Sequence, residues 1–309
     1  MSFEYNEYRK KIEEYFQSEL DKAESKIMKK ILFVINKQSE IDKTLELASL
    51  FCEKTHTHIK FINAAHYYSN ELTEANIPFY SLQDVTNAVE KSVIENAEVS
   101  IIRHGIPFEG IMDIVEASQI SMIIAQFPFQ EGLENEKITI NHMGNTFEKL
   151  IEYSLTKSEI PLLILKNDSL NLESGFNHVV MVASDWINRY SFNTIIHLSN
   201  TINATVTILP FLKETMYEES EIPKTLKKID TEIEKFGKEV NEWLKKNNYT
   251  LTVGTESVCK NKFEFLLKIE DLNPEMVVLF VPRKKEIISS FQNIIRVSKT
   301  NVLIVPELQ

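Results

Sequence analysis

The chain has 309 residues, a net charge of −11 at pH 7, 43% hydrophobic and 26% charged residues, seven glycines and two cysteines. That length supports two domains with a sizeable core. The acidic balance argues against nucleic acid or anionic membrane as partners, and Cys52 and Cys259, far apart in sequence, make neither a disulfide framework nor a metal cluster.

Residues 3–27 place Tyr5, Tyr8, Ile12, Tyr15 and Leu20 three to five apart, predicting an amphipathic helix that packs on the body of the protein or on a partner. This N-terminus carries acidic residues and no apolar run, so it reads as neither a signal peptide nor a span. The expected location is the cytoplasm. Next, "ILFVI" (31–35) is a continuous apolar run of the kind that a doubly covered parallel strand shows. A helix through Ile41, Leu45, Ala48 and Phe51 follows, with Ser39 or Asp42 as its cap, and "HIKFINAA" (58–65) is a second strand. Helix 82–96, strand "AEVSIIRHG" (97–105), helix "PFEGIMDIVEAS" (107–118), strand "SMIIA" (121–125), helix 146–157 and strand "IPLLILK" (160–166) complete the first series.

After a polar linker, 167–176, the series restarts. "HVVMVAS" (178–184), "ATVTILPF" (204–211), "YTLTVGTES" (249–257), "PEMVVLFV" (274–281) and "NVLIVP" (301–306) repeat the five strands in order. A repeat of about 145 residues predicts two domains of one fold. The expected boundaries are 1–28 for the N-terminal helix, 29–167 for the first domain and 177–309 for the second.

The doubled order of elements carries a family likeness. Its marks are the first-strand turns "FVINKQSE" and "MVASDWIN", the segment "RHGIPFEGIMDIVEAS", and a last helix running into "IPLLIL" or "NVLIV". The chain resembles the universal stress protein family in its tandem, two-domain form over nearly all of 29–306. The resemblance implies an α/β fold: two doubly wound five-stranded parallel sheets of order 3-2-1-4-5. It also implies an intramolecular pseudo-dimer, commonly formed along the fifth strands, with a homodimer as a further option.

The nucleotide-binding branch of that family carries Gly-x2-Gly-x9-Gly-Ser/Thr after the fourth strand, where glycines let backbone N–H groups and a helix N-terminus approach a triphosphate. Here the first two positions fall near Gln126 and Phe129 in "IIAQFPFQEG", and Gly144-Asn145 stands where the last pair belongs. In the second copy Phe280 and Arg283 lie near the glycine positions and Ser289-Ser290 is the remnant. The branch's first-strand Asp is replaced by Asn36 and Ser184, with Asp185 one place late. The rim positions for a ligand are therefore Asn36, Ala64, Gln126, Gly144, Asn145, Ser184 and Asp185.

These departures favour a non-catalytic stress or regulatory protein with degenerate loops, no cofactor, and action through an unidentified protein or small ligand. A diverged ATP-binding sensor is the alternative, and an adenylate-type hydrolase or transferase rests on fold analogy alone. His56 and His58 alternate on a strand, but no further ligand completes a metal site. His66 and His104 sit just past strand ends, and Asp185 with Arg189, or Arg283-Lys284-Lys285, offers an anion contact or an ordinary solvated charge. Cys259 opens a helix, where a lowered thiol pKa is one expectation. The apolar stripe of helix 224–246 predicts core packing.

Overall fold

The computed structural model describes residues 30–35, 41–55, 57–64, 81–92, 94, 96–100, 107–126, 137–166, 177–183, 204–211, 222–246, 251–259, 261–281, 291–292, 294–295, 298 and 300–306. The expected N-terminal helix and the 167–176 linker lie outside these residues. The first series comprises β1 (Lys30–Ile35), α1 (Ile41–Thr55), β2 (His58–Asn63), α2 (Leu82–Lys91), β3 (Ala97–Ser100), α3 (Pro107–Ser118), β4 (Met122–Gln126), α4 (Lys137–Thr156) and β5 (Leu162–Leu165). The second comprises β6 (His178–Ala183), β7 (Thr205–Pro210), α5 (Ile222–Lys246), β8 (Val253–Thr255), α6 (Lys262–Leu272), β9 (Met276–Val281) and β10 (Asn301–Pro306). Phe291, Gln292, Ile294 and Ile295 are helical just before β10.

The strands form one ten-stranded sheet in the order β3-β2-β1-β4-β5-β10-β9-β6-β7-β8. Each half reads 3-2-1-4-5. Every described strand pair within a half is parallel, and β5 meets β10 antiparallel, Leu303 opposite Leu163. The fold is therefore a single mixed sheet rather than two separate parallel ones.

Apolar alternation explains why the inner strands read as unbroken hydrophobic runs. Ile31, Phe33, Phe61, Leu163, Met181, Val278 and Leu303 face one side, where Ile41, Leu47, Val85, Val240 and Leu244 of α1, α2 and α5 cover them. Leu32, Ile123, Leu162, Val180, Leu279 and Ile304 face the other, under α3, α4, α6, Phe291 and Ile294. With both faces buried, the middle positions of β1, β4, β5, β6, β9 and β10 are all apolar, and polar residues stand only at strand ends. The stripe of α5 joins the first layer, as its spacing predicts, with Ile233, Phe236 and Trp243 half-buried against it. The outer strands are short. β8 spans three residues where a longer strand is expected, and the Asn241 carboxamide clamps it by accepting from the Val253 N–H (2.8 Å) and donating to its carbonyl (2.6 Å). A Cβ at Gly237 would lie 2.6 Å from Thr255 Cγ2, so only glycine lets α5 approach this closely. On the opposite edge Glu98 pairs with Lys60, a charge that discourages strand addition.

Two helix ends differ from the sequence pattern. α2 stops at Lys91 with Ser92 as its C-cap, and opens with a capping box between Ser81 and Asp84. The Asp84 carboxyl is held below its ordinary pKa, chiefly by the Ser81 hydroxyl. α4 begins at Lys137, nine residues before the expected start.

The joint between halves is tied at one end by side chains. Asn301 is 1% exposed; its Oδ1 accepts the Lys166 N–H at 2.8 Å and its Nδ2 donates to the Glu275 carbonyl at 2.8 Å. The repeats share a serine turn: Ser158 brackets Ile160 as Ser298 brackets Thr300. In that registration Pro306 is the counterpart of Lys166 in the repeat, and Pro161 that of Asn301. Proline has no N–H, so the other end of the joint leaves no donor that would need a second asparagine.

Lys166 is itself buried, and its Nζ donates to the Ile295 carbonyl. Burial pushes its amine down to about 8, opposed by the Glu148 carboxylate.

Two outcomes follow from this joint. Asn301→Ala strands two backbone groups and is expected to cost about 2–4 kcal/mol in urea unfolding. For Lys166, the folded state binds its proton more weakly than the unfolded chain, whose amine titrates near 10.5. Between about pH 8 and 10.5 the unfolded state therefore holds more protons, and stability at this group rises with pH. The stability of the wild type minus that of Lys166→Met should increase by about 2 kcal/mol from pH 7 to 10, measured by urea unfolding at both values.

Candidate functional site

In an open α/β sheet the crevice forms where the strand order reverses, outside the carboxyl ends of the strands. Here that point lies between β1 and β4 in the first half and between β6 and β9 in the second. Because β5 and β10 run antiparallel, the two crevices open at opposite ends of the strands.

In the first half the register sets Ile35 beside Asn63, and Gln126 beside Leu165. Gln126 is the last residue of β4. Ala64 follows β2 directly and is buried in the layer beneath α3 and α4, so it offers backbone and a small side chain to the rim. Asn63 beside it is also buried. Gly144 and Asn145 lie within α4 rather than in a loop before it, because the helix starts at Lys137. Asn36 lies outside the described residues, next in sequence to the end of β1. Ser184 and Asp185 likewise lie outside, beyond the end of β6. Of the seven rim positions, the described structure brings Ala64 and Gln126 to the same end of the first half-sheet. His66, His104, Arg189 and Arg283-Lys284-Lys285 lie outside the described residues.

Superposing the two series shows what has changed in the second half. His178 pairs with Thr205 as Lys30 pairs with His58, so Phe211 takes the place of Ala64 and Pro210 that of Asn63. Met276 answers Met122, so Phe280 takes the place of Gln126. Pro210, Phe211 and Phe280 are all buried. Phe211 bridges to Cys259, and its ring meets that of Phe265 on α6 edge-on, with centroids 5.5 Å apart. The carboxyl end of this half-sheet thus carries two buried aromatic side chains, Phe280 in one core layer and Phe211 in the other, where the first half has Gln126 and Ala64. Phe211 was not among the sequence-derived candidates; the signal for it was there, an aromatic directly after a strand where the other copy has alanine.

Cys259 corrects an expectation. Its thiol is buried and precedes α6, whose N-cap is Asn261, and burial pushes its pKa up to about 11, with the Glu264 carboxylate adding to the shift. Such a thiol is an inert core group rather than an activated nucleophile. Cys52, half-buried, donates to the Thr57 carbonyl at 3.2 Å. His58 is exposed at the start of β2. Among the described residues no group of three or more His, Cys, Asp or Glu side chains is placed to hold a metal, and no helix is long and apolar enough to cross a membrane.

No protein-family model matches the chain, and no curated protein matches it in sequence. Solved structures do match. A protein of unknown function from Pseudomonas aeruginosa PAO1 aligns over 90% of this chain and 92% of its own, with a TM-score of 0.55 and 12% identity. A protein described as a putative universal stress protein, from P. aeruginosa UCBPP-PA14, aligns over 90% and 93%, at 0.55 and 12%. A universal stress protein from Archaeoglobus fulgidus DSM 4304 aligns over 90% and 96%, at 0.54 and 16%. Across nine-tenths of its length the chain has the fold of tandem universal stress proteins.

Proposed function

We propose that this chain is a non-catalytic stress-response or regulatory protein of the tandem universal stress type, built from domains at 29–167 and 177–309. In this reading it works in the cytoplasm through a protein partner or small ligand, without a bound cofactor. The observation that carries the reading is the aromatic replacement in the second half: Phe211 and Phe280 are buried where Ala64 and Gln126 stand in the first. A triphosphate needs backbone amides free at a strand end. Bulky side chains there leave it no close approach. The position of Gly144-Asn145 inside α4 also supports the reading, because N–H groups within a helix already donate to its carbonyls.

A second reading is favoured by the same comparison. If either half keeps an adenine-nucleotide crevice, it is the first, where Asn63, Ala64 and Gln126 stand at the positions of Pro210, Phe211 and Phe280. Its contacts would come from Asn36, Ala64, Gln126, Gly144 and Asn145. Ser184 and Asp185 would supply the poorer second rim.

Calorimetric titration with ATP and magnesium separates the two. The first reading expects no binding tighter than a Kd of about 1 mM. Binding at about 10 μM or tighter, lost in Asn36→Ala, would replace it with the nucleotide-sensor reading.

A further inference from the structure

Two large apolar side chains stand in solvent on α6: Phe263 is 77% exposed and Leu267 62%. Four residues apart, they are neighbours on one helix face. A single exposed apolar residue is ordinary. This pair is informative because the chain contains its own control.

α3 and α6 occupy equivalent places before β4 and β9. Each is followed by a residue of positive φ, Gln119 (53°) and Asn273 (41°), three positions before Met122 and Met276. In that registration the core residues correspond: Ile111 with Phe265 and Val115 with Ile269, all buried. Phe263 then stands at the position of Glu109, and Leu267 at that of Asp113, both exposed carboxylates. The fold thus tolerates charge at these two places in one copy and shows apolar surface in the other. Packing of α6 does not account for the difference.

The surroundings define what fits. Leu266, half-buried, extends the apolar surface to one side. Glu264, Glu270 and Asp271 are exposed around it. Lys268 turns away to Glu256, at 2.8 Å, so its charge is met locally. Among the described residues the rim is therefore acidic, on a chain of net charge −11.

We propose that this face of α6 docks an amphipathic helix of a partner protein. The partner's apolar stripe lies on Phe263, Leu266 and Leu267, and its flanking Lys or Arg residues face Glu264, Glu270 and Asp271. A second copy of this chain fits worse, because a two-fold contact sets the same acidic rim against itself. The chain's own residues 1–28 also fit worse, with seven acidic side chains against five basic. An anionic lipid surface is repelled by the same carboxylates. The inference gives the partner of the reading above its chemistry and rests on that reading. ATP titration tests the reading itself, so the two can fail separately.

The test uses the full chain and two amphipathic peptides of about 20 residues, one Leu/Lys and one Leu/Glu, followed by fluorescence anisotropy at about 0.15 M salt. The double variant Phe263→Glu/Leu267→Asp copies the first half. Phe263→Ser/Leu267→Ser removes the apolar pair without adding charge. The wild type is expected to bind the Leu/Lys peptide and not the Leu/Glu one, and both variants should bind it about 10-fold more weakly or worse. Charge attraction alone predicts the opposite for the Glu/Asp variant, which is more negative. Equal or tighter binding by that variant overturns the proposal, as does failure of the wild type to bind the Leu/Lys peptide. A wild-type dimer that the variants dissociate in light scattering also overturns it, and assigns the face to a second copy.

Discussion

The contact on which the rest of the molecule depends is the antiparallel pairing of β5 with β10. Each strand, alone, would end its half-sheet as an open edge lined by buried leucine, isoleucine and valine, the kind of edge that invites aggregation. Paired, they let both hydrophobic layers run without interruption from one half to the other. The edges that remain belong to β3 and β8, which are short and guarded by an ion pair and an asparagine clamp. The joint also carries the buried polar tie of Asn301 and the buried amine of Lys166, which give the pairing a defined register. Apolar contact alone would tolerate a shift along the strands; an asparagine bonded to two backbone groups does not.

Antiparallel pairing has a functional consequence. It sends the two crevices to opposite ends of the strands, so no single small ligand spans both, and each half is free to change on its own. The second half has used that freedom twice. Its strand ends carry Phe211 and Phe280 in place of alanine and glutamine, and its α6 carries Phe263 and Leu267 in place of two carboxylates. Large apolar groups thus replace small, polar or charged ones both at the strand ends and on a helix face of the same half.

Much of this architecture is legible in the sequence. Runs such as "ILFVI" and "MVVLFV" are continuous because both faces of those strands are covered, and their recurrence in the same order marks the duplication. Less of the candidate site is legible, for physical reasons. Lys166 closes the run "IPLLILK", and nothing near it in sequence marks it as buried; only the return of the chain more than a hundred residues later, bringing Ile295 and Asn301, buries it. Cys259 sits near a helix start, which by itself suggests activation, while the bridge to Phe211 and the depth of burial reverse that reading. Gly144 within "TINHMGN" resembles a loop glycine, yet the helix runs through it from Lys137. Local pattern reports propensity. Which propensity prevails is decided by contacts remote in the chain.

Both tryptophans, Trp186 and Trp243, belong to the second half, so their fluorescence follows that half, while far-UV circular dichroism follows both. Urea unfolding recorded by the two signals on one sample therefore asks whether the ten strands behave as a unit. Superimposable transitions with a common midpoint are the predicted result. Fluorescence and dichroism curves that separate, one half melting while the other persists, would contradict it.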